Sequence, residues 1–185
     1  MNQKSDNGNA RPDAKSFCIE VMSLSRLGNI PLGERCAVIS ISSPGNIPYV
    51  DFPTHTLQLT FSDLENPGKF GSILDRLMMA LGNGPAGRFG EAYWRYQSEV
   101  KQAVVPFRRC HAVSIYHFVA SLPASIETLY IHCDFGKSRS PAVAFALQRL
   151  FGCQLVFKEQ NIAPNTFVTG VFAEVQARLG WAIHQ

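Results

Sequence analysis

The segment Tyr130 to Leu147, YIHCDFGKSRSPAVAFAL, constrains the fold of this chain more than any other. An apolar, β-forming stretch ending at Cys133 gives way to a short polar loop, Asp134 to Ser138, and then to a run of helix formers. Gly136 gives that loop access to backbone angles that other residues avoid. Pro141 falls in the first turn of a helix opened by Arg139 and Ser140, where its missing N–H costs nothing. A strand that passes through a tight loop into a helix belongs to an α/β layer fold, and such folds place their ligand sites at the C-terminal ends of strands.

The rest of the chain repeats the alternation. Strands are expected at Phe17–Leu24, Cys36–Ser43, Leu57–Phe61 and Ile126–Cys133, each rich in β-branched or aromatic residues and bounded by turn formers. Helical spacing of Phe70, Ile73, Leu74, Leu77, Met78 and Leu81 predicts a helix over 69–81 that stops at Gly82. Further helices are expected at His111–Ser121, at Ser140–Leu150 before Gly152, and from Pro164–Asn165 onward. In the first of these, Val113, Tyr116 and Ala120 form one stripe with Ile115 and Val119 beside it. In the last, Phe167, Val168, Val171, Phe172, Val175 and Leu179 make the apolar face. The expected architecture is a single α/β domain, a central, mostly parallel sheet flanked by helices. Residues 1–15 read as a polar tail, 16–185 as the domain, and 82–109 as an insertion or lid.

Composition narrows the class. With 185 residues, 46% of them hydrophobic and 17% charged, the chain can bury a substantial core and is not disordered. No apolar run reaches the roughly 18 residues of a spanning helix, and the N-terminus lacks the apolar stretch of a secretory signal. A cytoplasmic protein with no membrane partner is the expectation. Lys and Arg total 17 against 14 Asp and Glu, a formal charge of +3, which is too small an excess to argue for nucleic acid as a partner. The five cysteines are scattered and contain no C-x-x-C pair, which argues against a disulfide framework and against a thiolate metal site.

One of those cysteines is chemically placed. The loop after Cys133 can turn successive N–H groups inward as an anion nest, over the positive end of the following helix. Arg139 at the loop's end supplies a planar fork for two oxyanion oxygens. N–H groups and a guanidinium stabilise a thiolate, so the expectation is a nucleophilic Cys133 at the base of a phosphate-shaped cup, equipped to attack phosphorus.

The pattern His132-Cys133-x-x-Gly136-x-Ser138-Arg139-Ser140 resembles the active-site signature of the cysteine-dependent protein tyrosine phosphatases, and most closely their dual-specificity branch in its bacterial and phage form. The wider resemblance runs from about Cys36 to Leu179, with the motif as its specific part. It implies a tyrosine-phosphatase-like fold and a phosphocysteine intermediate on Cys133. Arg139 would hold the phosphoryl oxygens, Ser140 would assist the departure of sulfur, and the backbone of Asp134, Phe135, Gly136, Lys137 and Ser138 would line the cup. His132 would support the loop and the thiolate from outside. The general acid of the family follows an upstream strand, and Asp63 matches that position, with Asp51, Glu65 and Asp75 as competitors. Asp63 also reads as a turn or N-cap residue. The resemblance implies no metal and no cofactor, and a phosphorylated protein or another phosphomonoester as partner. Phosphotyrosine is the implied substrate, with phosphoserine and phosphothreonine also within the branch's range. Oligomeric state is not legible.

Alternatives stay open on the sequence. The loop is compatible with a phosphatase of phosphoinositides, inositol phosphates or RNA 5′-phosphates, to which Lys137 would contribute charge. It is also compatible with a catalytically silent phosphate-binding module, and with sulfur transfer through a persulfide on Cys133. Arg88, Arg95, Lys101, Arg108 and Arg109 among Phe89, Tyr93, Trp94 and Tyr96 read either as a substrate-stacking lid or as an inserted helix packed on the domain. Cys18, Cys36 and Cys153 sit in apolar patterns and read as core thiols.

Overall fold

The computed structural model describes residues 15–46, 48, 50–64 and 105–180. Five strands, β1 (Cys18–Ser23), β2 (Cys36–Ser42), β3 (Thr56–Thr60), β4 (Thr128–Cys133) and β5 (Gln154–Phe157), form one sheet in the order β3-β2-β4-β1-β5. Every pairing is parallel. The helices are α1 (Leu24–Leu27), α2 (Arg109–Ser121), α3 (Arg139–Phe151) and α4 (Thr166–Leu179). The α/β architecture expected from the sequence is therefore present, with a sheet that is wholly rather than mostly parallel. No helix among the described residues is long and apolar enough to cross a membrane.

Burial explains the strand sequences. β2, CAVISIS, is buried at every position, as a parallel strand with neighbours on both sides and both faces covered must be. The alternation within strands sorts side chains onto two faces. Ile19, Val21, Ala37, Ile39, Ile41, Leu129, Ile131 and Cys133 belong to the large core beneath α2, α3 and α4. Met22, Leu27 and Val38 form a smaller cluster with Phe52 and Tyr130. Burying each large aliphatic or aromatic side chain contributes about 1.5–3 kcal/mol, so the first face dominates the stability.

The elements agree with the expected ones to within a residue or two, with three differences. β5 was not legible: QLVF is short, lies at the sheet edge and is only half buried. Leu24–Leu27 is a helical turn where a strand end and turn were expected. On α2 the buried stripe is Ala112, Ile115, Tyr116 and Val119, while Val113 and Ala120 are exposed. The apolar residues of α2 outnumber one face, and the sheet fixes which of them turn inward. On α4 the expected face holds, with Val168, Phe172 and Val175 buried. The expected helix over 69–81 and most of the 82–109 segment lie outside the described residues.

The strand order positions the site. β4 lies between β1 and β2: the chain leaves β1 and β2 in one direction along the sheet, toward β2 and β3, and leaves β4 in the other, toward β5. In a parallel sheet all C-terminal strand ends share one edge, and a ligand crevice opens at such a switch point. The segments after β1, β2, β3, β4 and β5 meet there.

Candidate active site

A cavity of about 660 Å³ opens at that edge, with Cys133, Arg139 and Asp63 in its wall. Cys133 is the last residue of β4 and only 2% exposed. The loop of residues 134–138 turns back over the end of β1. Gly136 adopts φ +70°, and a Cβ on it would lie 2.5 Å from the carbonyl carbon of Met22 and 2.6 Å from the nitrogen of Ser23. Both the dihedral and the close approach demand glycine. The far side of the loop is pinned as well, since the N–H of Ala163 donates to the Lys137 carbonyl at 2.8 Å and that of Asn165 to the Ser138 carbonyl at 3.2 Å. The N–H groups of Phe135, Gly136, Lys137 and Ser138 find no acceptor among the described residues. Unpaired amides in a rigid loop before a helix N-terminus make a site for an anion.

The Ser140 hydroxyl donates to the Cys133 sulfur at 3.2 Å, and Ser140 itself is fully buried. Arg139, the first residue of α3, is 3% exposed. Its Nη1 donates to the Phe61 carbonyl at 2.8 Å and its Nη2 to Asp134 Oδ2 at 2.5 Å, while Ser43 Oγ donates to that same carboxylate oxygen at 2.7 Å. Nε is buried without a partner, 3.9 Å from Asp63 Oδ2. A guanidinium buried with an unmet donor is costly, and an oxyanion in the cavity relieves that cost. The sequence placed Asp134 in the loop for its backbone; its side chain also aligns Arg139.

Asp63 follows β3 and lines the cavity. Ser138 Oγ and Asn165 Nδ2 each donate to its Oδ1 at 2.7 Å, which leaves Oδ2 as the oxygen able to carry a proton. Ser138 occupies the N-cap position of α3 without capping it, its hydroxyl committed to Asp63 instead. Asn165 is 1% exposed and serves two elements, since its Oδ1 accepts the Val168 N–H at 2.9 Å and caps α4. Of the competing acids, Asp51 is exposed and does not line the cavity, while Glu65 and Asp75 lie outside the described residues.

The remaining expected residues separate. Phe135 and Lys137 line the cavity. His132 lies on the sheet face opposite Cys133, stacked on Phe52 at 6.2 Å, with neither ring nitrogen bonded among the described residues. Burial lowers its pKa to about 4, because it penalises the imidazolium. Arg109 pairs with Glu174. Cys36 and Cys153 are buried, and desolvation raises both thiol pKa values. Sequence reasoning missed Ser23, Ser25 and Glu159, which complete the cavity wall. Glu159 Oε1 accepts from Ser23 Oγ at 2.8 Å, from Ser23 N at 3.2 Å and from Arg26 Nε at 2.9 Å. These donors, the Ser23 hydroxyl foremost, hold its carboxyl below the usual carboxylate range.

Comparison with known proteins returns no match to this chain among family profiles, curated proteins or solved structures. The functional reading rests on the site itself.

Proposed function

We propose that the chain is a phosphomonoester hydrolase that works through a cysteinyl-phosphate on Cys133, as its signature's resemblance to the cysteine-dependent protein tyrosine phosphatases implies, with phosphotyrosine as the substrate class. The observation that carries this reading is the 3.2 Å contact from Ser140 Oγ to Cys133 Sγ beside the buried, partly unpaired Arg139. A pocket that only held phosphate would need the guanidinium but not a hydroxyl aimed at sulfur.

In the first step the Cys133 sulfur attacks phosphorus, the S–P bond forms and the P–O bond to the leaving group breaks. The loop N–H groups and Arg139 stabilise the charge on the equatorial oxygens. Asp63 Oδ2 gives its proton to the departing oxygen. In the second step a water attacks phosphorus and Asp63 takes back a proton. The S–P bond breaks, and the Ser140 hydroxyl donates to the sulfur as it regains its negative charge. Inorganic phosphate leaves.

The test is hydrolysis of p-nitrophenyl phosphate at mildly acidic pH under reducing conditions, wild type against Cys133→Ser. Turnover by the wild type that vanishes in the variant is expected. A folded wild type without turnover overturns the reading in favour of a silent phosphate-binding module. Asp63→Asn is expected to slow phenyl phosphate at least about tenfold more than p-nitrophenyl phosphate, because only the poorer leaving group needs the proton. Equal effects on both remove Asp63 as the acid.

A further inference from the structure

The mouth of the cavity carries a feature that the chemistry at Cys133 does not use. Phe135 is 77% exposed, and among the described residues Val113 is the only other large hydrophobic side chain left in solvent. Single exposed apolar residues are common, so exposure alone decides nothing. Two further observations set Phe135 apart. Phe135 lines the cavity, whereas Val113 on α2 does not. Its backbone is also held by neighbours that cannot move: Cys133 ends a buried strand, and Gly136 is wedged against Met22 and Ser23. The loop that forms the anion cup therefore presents an aromatic side chain at its rim on a backbone that needs no ordering on binding.

The charge around that rim is the second strand of the argument. Three carboxylates, Asp63, Asp134 and Glu159, line the cavity against two cations, Lys137 and Arg139. Arg139 is already paired with Asp134. With Asp63 protonated as the acid, the two remaining carboxylates balance the two cations, so the wall offers no surplus positive charge to a second phosphate.

Resting on the phosphatase reading, we propose that Phe135 is a specificity-determining residue. Its ring stacks on the aromatic leaving group of an aryl phosphomonoester, and the rim offers no surplus positive charge to leaving groups that carry further phosphates. Stacking of this kind corresponds to about three- to tenfold in affinity.

The experiment measures inhibition of p-nitrophenyl phosphate hydrolysis by methylphosphonate, phenylphosphonate and inositol 1,4-bisphosphate, in wild type, Phe135→Ala and Phe135→Trp. The wild type is expected to bind phenylphosphonate about three- to tenfold more tightly than methylphosphonate. Phe135→Ala should remove that preference, read as the ratio of the two inhibition constants within each variant, and Phe135→Trp should restore it. A preference that survives in Phe135→Ala, an equal loss for both phosphonates, or tightest binding of the bisphosphate overturns the proposal. In those cases wild-type turnover persists, so the phosphatase reading stands. If the wild type turns over no p-nitrophenyl phosphate, that reading falls and this one with it.

Discussion

Asn165 offers the sharpest probe of how the site is held together, because one side chain serves both the helix and the acid. Its Oδ1 caps α4, while its Nδ2 donates to Asp63 Oδ1 at 2.7 Å and to the Leu64 carbonyl at 3.1 Å. Asn165→Ala removes all three bonds. Loss of an N-cap costs about 1 kcal/mol. A hydrogen bond to a charged group contributes about 1.5–3 kcal/mol, and the lower end applies because the Asp63 side chain is 39% exposed. The bond to the Leu64 carbonyl adds about 1 kcal/mol, so the expected loss is about 3.5 kcal/mol. Asn165→Asp separates the two roles. Asp caps as well as Asn, but it sets a carboxylate oxygen against Asp63 Oδ1. Two carboxylates so close bind a shared proton more tightly in the folded than in the unfolded state. The pair's folded pKa therefore lies above the unfolded value of about 4. The destabilisation is full above that raised pKa and shrinks as pH falls toward about 4. The assay is urea unfolding of wild type, Asn165→Ala and Asn165→Asp at pH 7 and near pH 4.5. Relative to wild type, Asn165→Asp should recover on acidification and Asn165→Ala should not. Asn165→Asp with wild-type stability at pH 7 would refute the coupling of Asn165 to Asp63.

Three further outcomes follow from the same geometry. Gly136→Ala meets φ +70° and backbone atoms at 2.5–2.8 Å, so at about 1–2 kcal/mol for the dihedral alone the melting midpoint should drop by about 4 °C or more, and an unchanged melt would contradict the close approach. Asp134→Asn keeps the shape of the carboxylate that aligns Arg139 and removes its charge, so inorganic phosphate should inhibit about fivefold more strongly in a steady-state assay while turnover falls. His132 has a folded pKa of about 4, below its ordinary value near 6.5, so its contribution to stability is complete above about 6.5 and is lost as pH falls toward 4. Replacing it with Phe should flatten the stability profile across that window by about 3 kcal/mol, as read by urea unfolding.

What the sequence made legible is local. Cys133 through Pro141 spell out a strand end, a glycine loop and a helix start, and each carries its own signal: an apolar run, a residue free to take positive φ, a proline tolerated in the first turn. The apolar face of α4 was legible for the same reason, since six residues at helical spacing leave one choice of face. On α2 apolar residues surround more of the helix, so the pattern admitted several stripes and only the position of the sheet selected one. β5 was too short and too exposed to announce itself.

The illegible part of the site is what the strand order creates. Ser23 and Glu159 are separated by 136 positions and Ser43 and Asp134 by 91, yet each pair is hydrogen-bonded. No periodicity reports such a contact, because it depends on β4 entering between β1 and β2 and on all five strands ending at one edge. The same topology explains a division of labour within the wall of the cavity. Residues contiguous with the β4–α3 loop supply the sulfur, the guanidinium and the amides, whose relative positions are fixed by a few covalent links. Of the groups that hold Arg139 and Asp63 in place, Asp134 and Ser138 belong to the loop itself. The Phe61 carbonyl, Ser43 (through Asp134) and Asn165 come from segments that follow other strands. A substitution at Cys133 or Arg139 thus acts on the chemistry directly, while one at Asp134, Ser43 or Asn165 acts through the alignment of a charged group. The two kinds of lesion differ in what they move, the first abolishing turnover and the second shifting its dependence on leaving group and pH.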